Sequence, residues 1–136
     1  MKLLMFYTQS WWYKTAQKTL DEVPTADREE AMVGAVVIFV HAEAEDEAKR
    51  DGVVQKFAKN VKWLAGKFGT KNVVLHSFNH LSTSKSSPDF AHGVLDEVTE
   101  RLIATGYTVM RTPFGYFNEF KMHVAGNSLA KVFKEF

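Results

Sequence analysis

Two histidines four residues apart, His76 and His80, are the side chains of this sequence whose type and spacing first bring chemistry to mind. On a helix that spacing would aim both imidazoles at one metal ion. Here the segment runs from a strand-like stretch into a Ser/Thr-rich loop, and the glutamate of a metalloprotease motif is missing, so the pattern argues against a metal site. By itself His80 reads either as a loop histidine with a satisfied hydrogen bond or as a group that binds or moves protons near pH 7. Tyr116 and Phe117 offer rings on which a base could stack, or simply one core and one surface aromatic of a strand. Other chemistries are missing. The chain has no cysteine, which removes thiol nucleophiles, CxxC redox pairs and Cys-ligated metals. It also has no GxGxxG, Walker or GxSxG sequence to support dinucleotide binding, P-loop hydrolysis or an esterase elbow.

The elements that must position these residues can be read from periodicity. Lys2 to Thr8 and Trp11 to Thr19 are apolar and aromatic runs, expected as two strands joined by a tight turn near Gln9-Ser10. Asp21 to Glu30 is polar, contains Pro24, and reads as a loop or a short capped helix. Met32 to Glu43 is apolar and rich in β-branched residues, as for a strand buried on both faces. Val53, Phe57, Val61, Leu64 and Phe68 form the apolar stripe of a helix that opens at Asp51 and stops at Gly69. Asn72 to His76 is the next strand, and Phe78 to Ser87 a polar loop. Ser87-Pro88 is a cap followed by a first-turn proline, opening a helix with stripe Phe90, Val94, Val98 and Leu102 and a stop at Gly106. Tyr107 to Arg111 and Phe117 to Val124 are the last strands, on either side of the turn Thr112-Pro113-Phe114-Gly115. A short helix is expected from Ser128.

The order ββ, then βαβαβ, then β and a terminal helix points to an α/β fold: a mixed sheet with helices packed on it, the strand-helix-strand units being parallel and right-handed. Ligands of such sheets sit at the carboxyl ends of strands, here the loops after residues 43, 76 and 111. With 136 residues, 46% of them apolar, one compact domain over residues 1–136 can bury a core without disulfides or structural zinc. Its longest apolar stretch, around Ala35 to Val40, is far short of a membrane span, and the N-terminus carries no secretory pattern, so a cytoplasmic protein is expected. The net charge of +1 hides a segregation. Asp21 to Asp51 holds ten acids against Arg28, Lys49 and Arg50, a net −7 that leaves +8 for the remainder. One face would therefore tolerate a polyanion, although Lys56, Lys59, Lys62 and Lys67 also fit a solvated helix face.

Phe78-Asn79-His80-Leu81-Ser82 and Pro113-Phe114-Gly115-Tyr116-Phe117, followed by Phe120-Lys121, resemble motifs of the N-terminal editing domain of archaeal threonyl-tRNA synthetases. The resemblance spans nearly the whole chain, from the Lys2-Leu3-Leu4 strand onward. It implies a D-aminoacyl-tRNA deacylase-like fold, a homodimer, and hydrolysis of serine mischarged onto threonine tRNA, with neither cofactor nor metal. The implied partners are the 3′-terminal seryl-adenosine of tRNA and an aminoacylation domain in the same or a separate chain. His80 and Asn118 would hold the catalytic positions. Ala42, Phe78, Asn79, Phe114, Tyr116, Phe117 and Lys131 would bind substrate. The chain departs from the family in having Asn118 where a lysine follows the aromatic turn, Lys131 where a glutamate stands in the last helix, and Phe117 without the hydroxyl of some relatives. The implied chemistry leans on the ribose hydroxyl of the tRNA terminus and on backbone groups. The adjacent Trp11, Trp12 and Tyr13 carry enough apolar surface to add a second argument for a dimer.

Overall fold

A computed structural model describes residues Met1–Phe136. The elements are β1 (Lys2–Lys18), β2 (Glu29–His41), α1 (Arg50–Lys67), β3 (Asn72–Ser77), α2 (Pro88–Ala104), β4 (Thr108–Arg111), β5 (Tyr116–Val124) and β6 (Lys131–Glu135). A 3-10 turn over Ala44–Lys49 leads into α1, and another over Ser128–Ala130 leads into β6. No helix is long and apolar enough to cross a membrane.

The strand order is β4-β3-β2-β1-β5, with β6 also paired to β1. The pairs β2–β3 and β3–β4 are parallel, while β1 is antiparallel to β2, β5 and β6. Both helices lie on one face, where Val53, Phe57, Val61, Leu64, Val94, Val98 and Leu102 meet Leu3, Met5, Val36, Ile38, Val40, Val73 and Leu75. On the opposite face Trp11, Tyr13, Ala35, Val37, Phe39 and Val74 form a second cluster, so β2 is buried on both sides from Ala35 to His41, while its first half, including Val33 of the apolar run, alternates toward solvent. Ser87 caps α2 by accepting from the Phe90 N–H at 3.2 Å, with Pro88 as the first helical residue, and Gly69 and Gly106 take positive φ after the two helices.

Strands β4 and β5 are consecutive in the chain but lie at opposite ends of the sheet path. In a flat sheet the four intervening gaps would separate them by roughly 19 Å, whereas the five steps from Arg111 to Tyr116 reach at most about 17 Å when fully extended. The sheet must therefore curl, and Thr112–Gly115 bridges its mouth. Gly115 has φ +81°, and a Cβ there would lie 2.9 Å from both Val23 methyls.

Two expected elements differ. The turn at Gln9-Ser10 is absent: β1 runs unbroken for 17 residues, with a register irregularity between Thr8 and Ser10 against β5. Gln9-Ser10 lacks glycine, asparagine or proline, and β2 pairs along β1 from Lys2 to Lys14, so extended pairing satisfies the backbone better than a reversal. The C-terminal helix is instead a 3-10 turn followed by β6, whose partners are Lys2 to Phe6 of β1. Exposure alternates along Lys131-Val132-Phe133-Lys134-Glu135 as in a strand, and that half of β1 would otherwise present an unpaired edge.

Candidate functional site

The carboxyl ends of the parallel strands open into a cavity of about 500 Å³, within the range of small-molecule sites. Ala42 after β2, Ser77 at the end of β3 with Phe78 to His80 beyond it, the Thr112–Gly115 bridge and Tyr116 to Asn118 of β5 line it, with Ser87, the cap of α2, and Pro88 and Ala91 of that helix along one side. The crevice rule had pointed to these loops, and the curl of the sheet adds β5, whose early residues a flat sheet would hold at the far edge.

The loop that carries His80 is fastened from below. Phe78 donates its N–H to Val40 O at 2.9 Å, and Ser86 donates to Ala42 O at 3.1 Å. His41, fully buried, accepts from the Leu81 N–H at its Nδ1 (3.1 Å) and lies 2.6 Å from Ser84 O through Nε2. Because Nδ1 accepts, Nε2 carries the hydrogen and donates it to Ser84. Glu43 accepts from Ser82 Oγ at 2.7 Å, from the Met1 ammonium at 2.7 Å and from Lys2 Nζ at 3.1 Å. Burial opposes ionisation of Glu43, but these donors outweigh it and hold its pKa at about 2. Neither His41 nor Glu43 was singled out from the sequence. The available signal was a polar residue ending an otherwise apolar strand.

His76 ends up at the floor of the cavity, buried among Trp11, Phe39, Phe78 and Phe120. Its Nδ1 is 2.9 Å from Oγ1 of the buried Thr112. Burial lowers its pKa to about 4, so the ring is neutral at pH 7. His76 and His80 are thus set apart by role rather than paired on one ion: one is bonded to Thr112 and sunk, the other is exposed at the rim with its ring edge-on to Phe78. Asn118 donates through Nδ2 to Tyr116 O at 3.3 Å, while its Oδ1 is buried beside the cavity without a partner. That oxygen is an acceptor without a donor in the folded chain.

Ala42, Phe78, Asn79, His80, Phe114, Tyr116, Phe117 and Asn118 all line this one cavity. Two of them have further commitments. The Tyr116 hydroxyl accepts from the Ala26 N–H at 2.7 Å and donates to Pro24 O at 3.2 Å, pinning the β1–β2 loop, so only its ring faces a ligand. Phe114 stacks on His92 at 4.6 Å. Lys131 stands elsewhere. It lies on β6, not on a helix, and donates to Ala125 O at 3.1 Å. Trp11 and Tyr13 are buried in the second cluster, so the apolar surplus expected of the Trp-Trp-Tyr run is largely consumed within the chain. Lys56, Lys59 and Lys67 lie exposed on α1, as a solvated helix face.

Similarity to known proteins agrees with this architecture. The threonine–tRNA ligase of Thermococcus onnurineus is 34% identical over 136 residues, and that of Methanosphaerula palustris 32% over 139 residues. These alignments take in 97% and 98% of the chain, which spans 22% of either ligase. Among solved structures, the c-Myc DNA Unwinding Element Binding Protein superposes with a TM-score of 0.68 at 14% identity, covering 99% of this chain and 98% of that one, a likeness of fold alone. The curled mixed sheet with two helices is the D-aminoacyl-tRNA deacylase-like fold. The model of the archaea-specific editing domain of threonyl-tRNA synthetase matches residues 1–136, and the chain belongs to that family.

Proposed function

We propose that this chain hydrolyses the ester of serine mischarged onto threonine tRNA. The observation that carries the reading is the assembly of eight residues from three separate segments around one cavity, with the Asn118 carbonyl oxygen unpaired within the fold. A pocket built to bind threonine rejects serine only through a missing methyl, worth about 1–3 kcal/mol, so fidelity needs a second, hydrolytic pocket that excludes the larger side chain. Ala42, Phe78 and Phe114 supply apolar walls, and Asn79, Tyr116 and Phe117 the flank for the terminal adenosine. His80 at the rim hydrogen-bonds the seryl group or the attacking water, and Asn118 Oδ1 accepts from the seryl ammonium or that water. The vicinal ribose hydroxyl of the tRNA terminus completes the positioning. Lys131, outside the cavity, has no part in this reading.

The partners that go with it are tRNA, an aminoacylation domain in this or another chain, and a second copy of the chain. The outer edge of β6, with Phe133 half exposed, is an available surface for that copy. The test is release of serine from seryl-tRNA(Thr) with threonyl-tRNA(Thr) as control, and equal rates or no turnover would overturn the reading. Asn118 in place of the family lysine favours a second reading, a tRNA-binding module without turnover, which binding without hydrolysis would support. Cleavage of D-aminoacyl esters with L-seryl esters spared would instead indicate a D-aminoacyl-tRNA deacylase.

A further inference from the structure

From the geometry we infer that His76 is a hydrogen-bond donor to the reacting carbonyl, its Nε2–H serving as an oxyanion-stabilising group at the floor of the cavity. The inference rests on the proposed hydrolysis and adds a residue that the motifs do not include. An imidazole among Trp11, Phe39, Phe78 and Phe120 is costly where another ring would pack as well, which asks for a use. The Thr112 hydroxyl decides the tautomer. Its one hydrogen-bond neighbour is His76 Nδ1, at 2.9 Å. If Nδ1 carried the hydrogen, the buried hydroxyl hydrogen would have no acceptor. With the hydroxyl donating to Nδ1, both Thr112 Oγ1–H and His76 Nδ1 are satisfied and the ring hydrogen resides on Nε2. That nitrogen makes no bond within the protein, and the residue lines the cavity. The ring's neutrality at pH 7 suits a donor that need not lose its proton.

The step balances as follows. A water oxygen forms a bond to the ester carbonyl carbon, and the C=O π pair moves to oxygen, where the Nε2–H hydrogen bond strengthens as negative charge develops. Collapse restores the C=O and breaks the bond to the ribose oxygen, which takes a proton derived from the water. Free serine and a 3′-hydroxyl tRNA result, and His76 is unchanged.

His76→Phe keeps a ring in the aromatic cluster and removes the donor. The expected result is a kcat for seryl-tRNA hydrolysis about 10²–10³-fold lower with KM little changed, the signature of an interaction made in the transition state. Thr112→Val, which frees the tautomer, should cost about tenfold, and Thr112→Ser should restore most of it. Long-range ¹H–¹⁵N spectra of the wild type should show Nδ1 unprotonated and Nε2 protonated. This readout stands even if His76→Phe fails to fold. Wild-type turnover that survives His76→Phe within about threefold, or a ring protonated on Nδ1, would overturn the inference alone. Absence of turnover in the wild type would overturn the proposed function and this inference with it.

Discussion

Replacing His41 with leucine isolates the contribution of the buried histidine that holds the His80 loop. The leucine fills a similar apolar volume but can neither accept from the Leu81 N–H nor donate to Ser84 O, both of which His41 serves in the folded chain. Each orphaned backbone group costs about 1–3 kcal/mol if it stays buried, and partial hydration of the loop together with the apolar gain returns some of this, leaving a net loss of about 2–4 kcal/mol. For a chain of this length 1 kcal/mol corresponds to roughly 3–4 °C in Tm, so the melting point should fall by about 7–15 °C. If the loop instead peels into water the stability loss shrinks, but the Leu81 amide loses its hydrogen-exchange protection and kcat drops as His80 loses its seat. Thermal unfolding, exchange at Leu81 and single-turnover hydrolysis should be measured on the same protein. A stability change under about 0.5 kcal/mol with Leu81 still protected would refute the claim that His41 fastens this loop.

Gly115→Ala should destabilise by more than about 1–2 kcal/mol and raise KM, because φ +81° disfavours alanine and its Cβ would clash with Val23 at 2.9 Å; chemical denaturation and steady-state kinetics check this. Among perturbations of the reaction, a 2′-deoxy terminus should cost more than about 10³-fold, His80→Ala about 10²-fold and Asn118→Ala less than about tenfold, since a neutral amide orients but takes no proton near pH 7. Single-turnover hydrolysis ranks them, and full activity on the deoxy substrate with a large Asn118 effect would reverse the assignment. Glu43, with a folded pKa of about 2 against 4.5 for a free carboxyl, contributes stability that is fully present above about pH 4.5 and is lost as pH falls toward 2. The stability gap between wild type and Glu43→Gln, on the order of 3 kcal/mol at most near neutrality, should close over that window in urea unfolding.

The helices were legible because their information is local: stripes at three- and four-residue spacing, the Ser87-Pro88 start, and glycines after the last turn act within a few residues of where they stand. The burial of Ala35 to His41 on both faces of the sheet was equally plain from composition. The unbroken β1 and the strand identity of β6 were not, because each depends on a distant partner: β2 holds β1 straight past Gln9, and the free half-edge of β1 recruits residues 131–135. For the site, the two aromatic motifs, with the Phe120 that follows them, marked nine of the 21 residues that line the cavity, whereas Lys131, expected on a helix, stands on β6 outside it.

Residue types alone determined that thiol chemistry is absent and that two helices and a mostly buried strand must form, while the family resemblance pointed to His80 and the Pro113–Phe117 turn, which line one cavity. Tertiary structure alone decided that the β4–β5 link spans the mouth of a curled sheet, that His76 meets Thr112 across 36 residues, and that the Tyr116 hydroxyl is spent on the β1–β2 loop. The division has one physical reason. Helical periodicity and capping are settled by neighbours in sequence, whereas hydrogen-bond partners of buried side chains are settled by which strands lie side by side, a choice made by the whole chain at once.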